Sequence, residues 1–276
     1  MERTGVERPR LAFTTLACPA WSLERVTEAA LAYGYQGVEL RLLDGETIEP
    51  GIDAAARRRV RSSLDAAGLP VVALDTSVRL AAADPQAAAA ELKAMLELAA
   101  EWDAPLVRVF GGGPPDDGMA RLLASTAADA ERLGVGIAVE THDHFSSAAT
   151  VADLLARVDS PAVGALWDVL HTYRVGEAPD VAMALLGDRL IHVHVKDGRR
   201  RPDAEAWDLV LLGEGDVPIA PTLRALAGHG YRGWLSVEWE KKWHPEIAEP
   251  EVALPQHAAE LSRLLAGALE ARPPEP

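Results

Sequence analysis

Short apolar runs alternate along the whole chain with longer segments rich in Ala, Leu, Glu and Arg. Several of these runs are apolar nearly throughout, which is typical of parallel strands that are covered by helices on the outside. The pattern predicts eight strands, at residues 11–13, 37–41, 70–75, 106–110, 136–140, 163–168, 190–196 and 234–239.

The segments between the strands carry the end signals of helices. A residue with N-cap character or a proline stands near each start, and Gly34 and Gly68 follow the first two predicted helices. The helices are predicted to begin near Ser22, Asp53, Asp84, Asp117, Ser147, Asp180 and Pro218, and a last one to span about residues 255–271.

Eight strand–helix units in 276 residues give a repeat of about 34 residues, the size of a βα unit. Neither a composition shift nor a linker marks a second domain. We therefore predict an α/β fold, a single (β/α)8 TIM barrel over residues 1–276, with about 272–276 as a flexible tail. A doubly wound sheet is the competing fold, but residues 14–19, after the first strand, lack its dinucleotide fingerprint.

The charge balance of the chain argues against one class of binding partner. The chain has 27 Lys and Arg against 42 Asp and Glu, a net charge of −15, which argues against nucleic acid because that partner needs a basic face. Its one cysteine, Cys18, cannot form an internal disulfide, and neither a signal peptide nor an apolar run of membrane-spanning length is evident. We expect a cytoplasmic protein with no membrane partner.

Charged and polar side chains close four successive strands. In a TIM barrel the carboxyl ends of the strands form the active site. An ionised carboxylate at the end of an apolar strand is costly unless it is paired or bound to a cation. We expect Glu140, Asp168, His194 and Glu238 to converge there and to bind a divalent metal. Three carboxylates and one imidazole suit Mn²⁺ best, with Mg²⁺ or Co²⁺ as alternatives.

Simpler structural explanations stay open for the individual residues. A lone carboxylate at a strand end is often a helix cap or an ion-pair partner, and His192 has the character of a core histidine. Lys196 and Asp197 are adjacent and could form a structural ion pair. The glycine-rich loops at 111–113 and 213–215 fit tight turns more simply than they fit phosphate binding.

At these residues the chain resembles the sugar phosphate isomerase/epimerase family of xylose isomerase-like TIM barrels, over nearly its whole length. That superfamily includes D-tagatose 3-epimerase, hydroxypyruvate isomerase, inosose dehydratase, 3-dehydroshikimate dehydratase and endonuclease IV. The resemblance is carried by residues 15–24, 34–41, Asp168 with His171, 192–197, 213–216, and 230–233 leading to Glu238.

The resemblance implies that Glu140, Asp168, His194 and Glu238 are the metal ligands and that Glu140 and Glu238 are the catalytic acid/base pair. It also implies that His171 and Arg200 contact substrate. His142, Lys196 and Glu240 are more similar to the dehydratases of the superfamily than to the epimerases. The expected substrate-binding residues are His142, His171, Lys196, Arg200, Arg108 and Glu240.

We therefore expect a divalent-metal-dependent isomerase or epimerase that acts on a sugar, keto-sugar or related hydroxyketone through a metal-stabilised enediolate. A metal-dependent dehydratase of a keto-polyol is the alternative reaction. A non-catalytic ligand-binding barrel is the alternative of another class, and the acidic charge argues against the DNA-repair endonuclease. The expected partners are a carbohydrate or cyclic polyol and further copies of the chain, in a homodimer or homotetramer.

Overall fold

The eight apolar runs pair edge to edge as parallel strands and close into a barrel. The computed structural model describes residues 8–202 and 206–270, so the tail expected at 272–276 lies outside the described residues. Residues 234–237 close the barrel by pairing with residues 10–13. The barrel strands are β1 (Arg10–Thr14), β2 (Gly37–Leu40), β3 (Val71–Arg79), β4 (Leu106–Phe110), β5 (Gly136–Glu140), β6 (Val163–Asp168), β7 (Leu190–Val195) and β8 (Trp234–Val237). The predicted TIM barrel is confirmed.

Helices follow the barrel strands and surround them. The first two show why the end signals work: the Ser22 and Asp53 side chains accept hydrogen bonds from the first-turn N–H groups, and Gly34 and Gly68 end the helices in the left-handed conformation. The helices are α1 (Leu23–Tyr33), α2 (Ala54–Ala67), α3 (Pro85–Glu101), α4 (Asp117–Leu133), α5 (Ala148–Leu155), α6 (Val169–Arg174), α7 (Pro179–Leu186), α8 (Ile219–His229) and α9 (Pro250–Glu270).

Two helices differ from the prediction. Helix α9 begins at Pro250, and Pro255, the predicted first residue, lies inside it. Pro250 fills the first position, where a missing N–H costs nothing, and the added turn buries Ala253 and Leu254 completely. Helix α6 was not predicted, because its six residues follow β6 without a loop.

The barrel interior changes from apolar to polar towards the carboxyl ends of its strands. Ala73, Leu106, Ala138 and Leu166 form one small apolar cluster. Two residues further along the same strands, on the same face, are Asp75, Arg108, Glu140 and Asp168, all buried. The strands therefore carry a layer of charged side chains directly above an apolar plug.

Two hairpins extend the barrel at its carboxyl end. Leu42–Leu43 pairs with Glu46–Thr47 after β2, and Asp197–Arg200 pairs with Trp207–Val210 after β7. Among the helices of residues 8–202 and 206–270, none combines the length and the apolar character that crossing a membrane requires.

Candidate active site

The four residues expected to bind a metal converge at the carboxyl end of the barrel. Glu140 and Asp168 end β5 and β6, His194 lies near the end of β7, and Glu238 directly follows β8. One ligand atom from each side chain lies within 4.8 Å of the others, and all four residues are buried. Nδ1 of His194 lies 3.4 Å from Oε1 of Glu140 and 3.5 Å from Oε1 of Glu238. These four residues are called the carboxylate cluster below.

Within residues 8–202 and 206–270, several atoms of the cluster that could bind a metal are buried and have no hydrogen-bond partner. They are both carboxylate oxygens of Glu140, Oδ2 of Asp168 and Nδ1 of His194. Buried polar atoms normally have a partner, because an unpaired one carries a desolvation penalty. Oxygen-rich donors with one imidazole nitrogen suit Mn²⁺, Mg²⁺ or Co²⁺, so the residues fit a divalent cation.

Asp168 divides its two carboxylate oxygens between structure and site. Oδ1 accepts hydrogen bonds from the N–H groups of Leu170 and His171, at 2.9 and 3.0 Å, and so caps helix α6. Oδ2 is left facing the carboxylate cluster. Burial raises the pKa of Asp168 to about 7, against the opposing effect of the Lys196 ammonium. Asp168 therefore caps a helix with one carboxylate oxygen and presents the other at the carboxylate cluster.

Glu39, on β2, is a site residue that the sequence analysis missed. Its carboxylate contacts Nε2 of His194 at 2.7 Å and Nε2 of His192 at 3.0 Å, and all three side chains are fully buried. Because Nε2 of His194 is held by Glu39, Nδ1 of the same ring faces the cluster. A carboxylate behind a histidine ligand is the usual support of a metal site. The one charged residue in the apolar run 37–40 was the available signal.

Arg108 lies inside the barrel, below Glu140. Its Nε is 3.3 Å from Oε2 of Glu140 and 3.5 Å from Oδ1 of Asp75, and its side chain is 2% exposed. The guanidinium also packs 3.9 Å from the ring centre of Phe110. Burial alone would raise the pKa of Glu140, but Arg108 holds it below its ordinary value. The structure thus places Arg108 where it orients Glu140.

Lys196 joins the cluster to Glu240. Its Nζ lies 2.5 Å from Oε2 of Glu238, 2.6 Å from Oε1 of Glu240 and 2.9 Å from Oδ2 of Asp168. Burial would raise the pKa of Glu238, but Lys196 and His194 hold it well below its ordinary value. Lys196 is therefore a fixed, buried positive charge beside two residues of the cluster.

The alternative pairing of Lys196 with Asp197 is wrong. The Asp197 carboxylate instead accepts hydrogen bonds from four backbone N–H groups, those of Gly198, Gly213, Gly215 and Val217, at 2.8 to 3.2 Å. A Cβ on Gly215 would lie 2.1 Å from Oδ1 of Asp197, so only glycine fits there. The 213–215 loop is therefore a turn whose N–H groups are already used.

Two histidines form one wall of the site. Nε2 of His171 lies 3.3 Å from Nζ of Lys196, and the ring of His142 packs 4.6 Å from the ring of His171. Burial and the nearby Lys196 lower the pKa of His171 well below its ordinary value, so its imidazole is neutral. The last expected substrate residue, Arg200, is exposed on the hairpin that follows Lys196 and lies outside the carboxylate cluster.

Known proteins share this architecture. A family model described as xylose isomerase-like TIM barrel matches residues 27–264. The chain is 32% identical over 164 residues to the rhizopine catabolism protein MocC of Rhizobium meliloti, covering 54% of this chain and 49% of that one. It is 30% identical over 135 residues to inosose dehydratase of Lactiplantibacillus plantarum, covering 42% and 43%. The chain thus spans about half the length of these curated relatives.

A third relative matches over a longer stretch. Fructoselysine 3-epimerase of Escherichia coli O157:H7 is 23% identical over 243 residues, 78% of this chain and 85% of that one. Two solved structures match almost the whole fold. A xylose isomerase domain protein from Planctomyces limnophilus has a TM-score of 0.75 at 22% identity, covering 95% and 97% of the chains. D-allulose 3-epimerase from Methylomonas sp. has a TM-score of 0.76 at 18% identity, covering 94% and 99%.

Proposed function

The chain belongs to the xylose isomerase-like TIM barrel family, and from this premise we propose that it is a metal-dependent enzyme that removes a proton beside a carbonyl group of a sugar, keto-sugar or cyclic polyol. The observation that carries the proposal is the carboxylate cluster, in which several buried oxygen and nitrogen atoms lack a hydrogen-bond partner among the described residues. Relatives named as a sugar epimerase and as inosose dehydratase support it. Epimerisation beside a carbonyl and loss of water across the adjacent bond both begin with removal of this proton.

In this proposal Glu140, Asp168, His194 and Glu238 hold the divalent cation, with Mn²⁺ as the first candidate and Mg²⁺ or Co²⁺ as the others. When bound, the cation would supply Lewis acidity that stabilises negative charge on the substrate oxygens. Glu39 holds the imidazole of His194 in place through its contact at 2.7 Å.

The two glutamates of the cluster divide the proton transfers. One of Glu140 and Glu238 accepts the proton, and the other takes up a proton from solvent and returns it to the opposite face, which gives the epimer. Return to the neighbouring carbon gives the aldose or ketose isomer. Arg108, 3.3 Å from Glu140, holds one carboxylate. Lys196, 2.5 Å from Glu238, holds the other.

Dehydration is the second candidate reaction, and the contacts of Lys196 favour it. Its ammonium lies between Glu238 and Glu240 and next to the neutral imidazole of His171. A departing hydroxyl needs hydrogen-bond donors as negative charge develops on its oxygen, and a buried ammonium meets that need. Here Lys196 would hydrogen-bond the departing oxygen, which leaves as water with the proton that one of the glutamates took from the substrate, and His142 and His171 would orient the substrate hydroxyls.

Deuterium exchange tests the proposal. The protein is incubated with Mn²⁺ in D₂O and with D-fructose, D-tagatose, an inosose or 3-dehydroshikimate, and the ion is removed with a chelator before proton NMR. We expect one of these to exchange the hydrogen beside its carbonyl, and the product separates epimer, isomer and alkene. Glu238→Gln should stop the exchange, whereas Glu246→Gln, on the exposed loop after β8, should not. Full exchange by Glu238→Gln, or none by the wild type with any of them, contradicts the proposal.

A further inference from the structure

A cavity of about 730 Å³ opens beside the candidate active site, and the proposed reaction does not use it. It lies between the C-terminal end of α6 and the hairpin formed by Asp197–Arg200 and Trp207–Val210. Its wall includes two guanidinium groups, two aromatic rings and one carboxylate: Arg174, Arg200, Tyr173, Trp207 and Asp216. The size is sufficient for a substituent of several atoms.

Arg174 connects this cavity to the candidate active site. Its Nη1 lies 3.2 Å from Nδ1 of His171, and Nε2 of the same ring lies 3.3 Å from Nζ of Lys196. Within residues 8–202 and 206–270 the contact with His171 is the only hydrogen bond of the Arg174 guanidinium, so most of its five N–H donors stay available on the cavity side.

The described wall of the cavity keeps a net positive charge, because two guanidinium groups face one carboxylate. Within residues 8–202 and 206–270, neither Arg174 nor Arg200 forms an ion pair with a carboxylate. The one acidic residue of the wall, Asp216, accepts a hydrogen bond from the backbone N–H of Arg200 at 2.9 Å. Two guanidinium groups at one cavity match a planar or tetrahedral oxyanion, which they bind through paired hydrogen bonds.

We propose that this cavity is an anion subsite in which Arg174 and Arg200 bind a carboxylate or phosphate group carried by the substrate. The inference rests on the proposed function and refines it: the substrate is a hydroxyketone with an acidic substituent, not a neutral sugar. The reacting carbon lies at the carboxylate cluster, and the acidic group reaches past His171 into the cavity. The rings of Tyr173 and Trp207, 5.8 Å apart in an edge-on arrangement, form the apolar side of the subsite.

Binding of three matched probes to the Mg²⁺-loaded full chain tests the subsite. The probes are D-fructose, D-fructose 6-phosphate and 5-keto-D-gluconate, and calorimetry gives the dissociation constant of each. We expect at least one anionic probe to bind about tenfold more tightly than D-fructose, since charge-assisted pairs with arginine are strong. The anion with the larger gain identifies phosphate or carboxylate as the natural group.

Substitutions at the two arginines test whether the preference for anionic probes arises at the cavity. Arg174→Gln and Arg200→Gln should each reduce the ratio of anionic to neutral binding by about fivefold or more. The matched control is Arg199→Gln: this arginine is the hairpin neighbour of Arg200, donates to the carbonyl of Glu214 and does not line the cavity. It should keep the preference.

Three results overturn the subsite: equal binding of neutral and anionic probes by the wild type, a preference that survives the double variant Arg174→Gln/Arg200→Gln, or binding of none of the three probes. The readout is a binding ratio and is independent of turnover. An anion preference without proton exchange therefore supports the subsite and contradicts the proposed reaction. Proton exchange with equal binding of all three probes contradicts the subsite alone.

Discussion

At the scale of single residues, the site is built from side chains that each divide their polar atoms between two tasks. Oδ1 of Asp168 caps α6 while Oδ2 faces the carboxylate cluster. Nε2 of His194 is bound by Glu39 while Nδ1 faces the cluster. Because one atom of each is fixed by the protein, the other is held in place before any ligand arrives, which is what a binding site for a cation requires.

Glu39→Gln tests this division at the histidine. The amide keeps the size of the side chain but removes the charge that orients His194, so we expect the affinity for Mn²⁺ to fall about 10- to 100-fold. Titration against a fluorescent chelator measures the affinity, and circular dichroism checks that the fold is kept. Glu46→Gln, an exposed glutamate in the hairpin after β2, is the control. Unchanged affinity in Glu39→Gln would refute a supporting role.

His257 makes a separate prediction about stability. Its ring is buried against Trp239, and Nδ1 contacts the carbonyl of Ala253 at 2.6 Å. Burial lowers its pKa from 6.5 to about 4, so the folded state takes up a proton less readily than the unfolded chain. The contribution to stability is complete above pH 6.5 and is lost as the pH falls to about 4, by roughly 3 kcal/mol.

Urea unfolding between pH 7 and pH 4 measures this slope. His257→Gln should flatten the decline in the free energy of unfolding over that range, although the variant is less stable at pH 7. His229→Gln, at the exposed end of α8, should keep the slope of the wild type. If the decline is the same with and without His257, the residue does not cause it.

The sequence predicted the residues of the carboxylate cluster but not Glu39, which holds His194. The strand order of the barrel explains this difference. Glu140, Asp168, His194 and Glu238 close successive strands, so the strand pattern alone places them at one edge. Glu39 precedes His194 by 155 residues and lies on β2, which pairs with β1 and β3 and not with β7. Their contact exists only because the barrel closes, and no local pattern records it.

At the scale of elements, the hairpin after β7 and the following loop depend on one buried carboxylate. The Asp197 carboxylate accepts hydrogen bonds from the N–H groups of Gly213, Gly215 and Val217. These bonds hold in place the segment that leads into α8. Asp197→Ala would leave these groups without their acceptor, and we expect a loss of about 3 kcal/mol in the free energy of unfolding. Urea denaturation measures it. The control Asp208→Ala, at an exposed position of the same hairpin, should cost less than about 1 kcal/mol, and an equal cost would contradict this account.

The predicted strand bounds and helix starts lie within two residues of the observed ones, except at the end of β3 and the start of α9. The runs at 106–110, 136–140 and 163–168 agree with β4, β5 and β6, because each is a short, mostly apolar segment between polar turns. Pro255 misplaced the start of α9, since a proline inside a helix is normally costly. Here the Tyr35 hydroxyl donates to the carbonyl of Leu254, and Ala253 and Leu254 of the added turn are buried, so tertiary contacts offset that cost.

At the scale of the whole molecule, negative charge is in excess both over the chain and at the carboxylate cluster. This excess favours binding of a cation at the cluster. The chain carries a net charge of −15. Within the described residues at the cluster, the four carboxylates of Glu140, Asp168, Glu238 and Glu240 contact two cationic side chains, Lys196 and Arg108. A divalent cation would balance the excess, and the surrounding acidic field would attract it at low ionic strength.

The most direct test of the account is the metal content of the protein after removal of bound ions and equilibrium dialysis against Mn²⁺. We expect one ion per chain, with stabilisation of about 2.7 kcal/mol at a free Mn²⁺ concentration of 100 times the dissociation constant. The double variant Asp168→Asn/His194→Gln should bind none, and Glu246→Gln should bind one. Absence of bound Mn²⁺, Mg²⁺ and Co²⁺ in the wild type, or a bound ion retained by the double variant, would contradict the proposed metal centre.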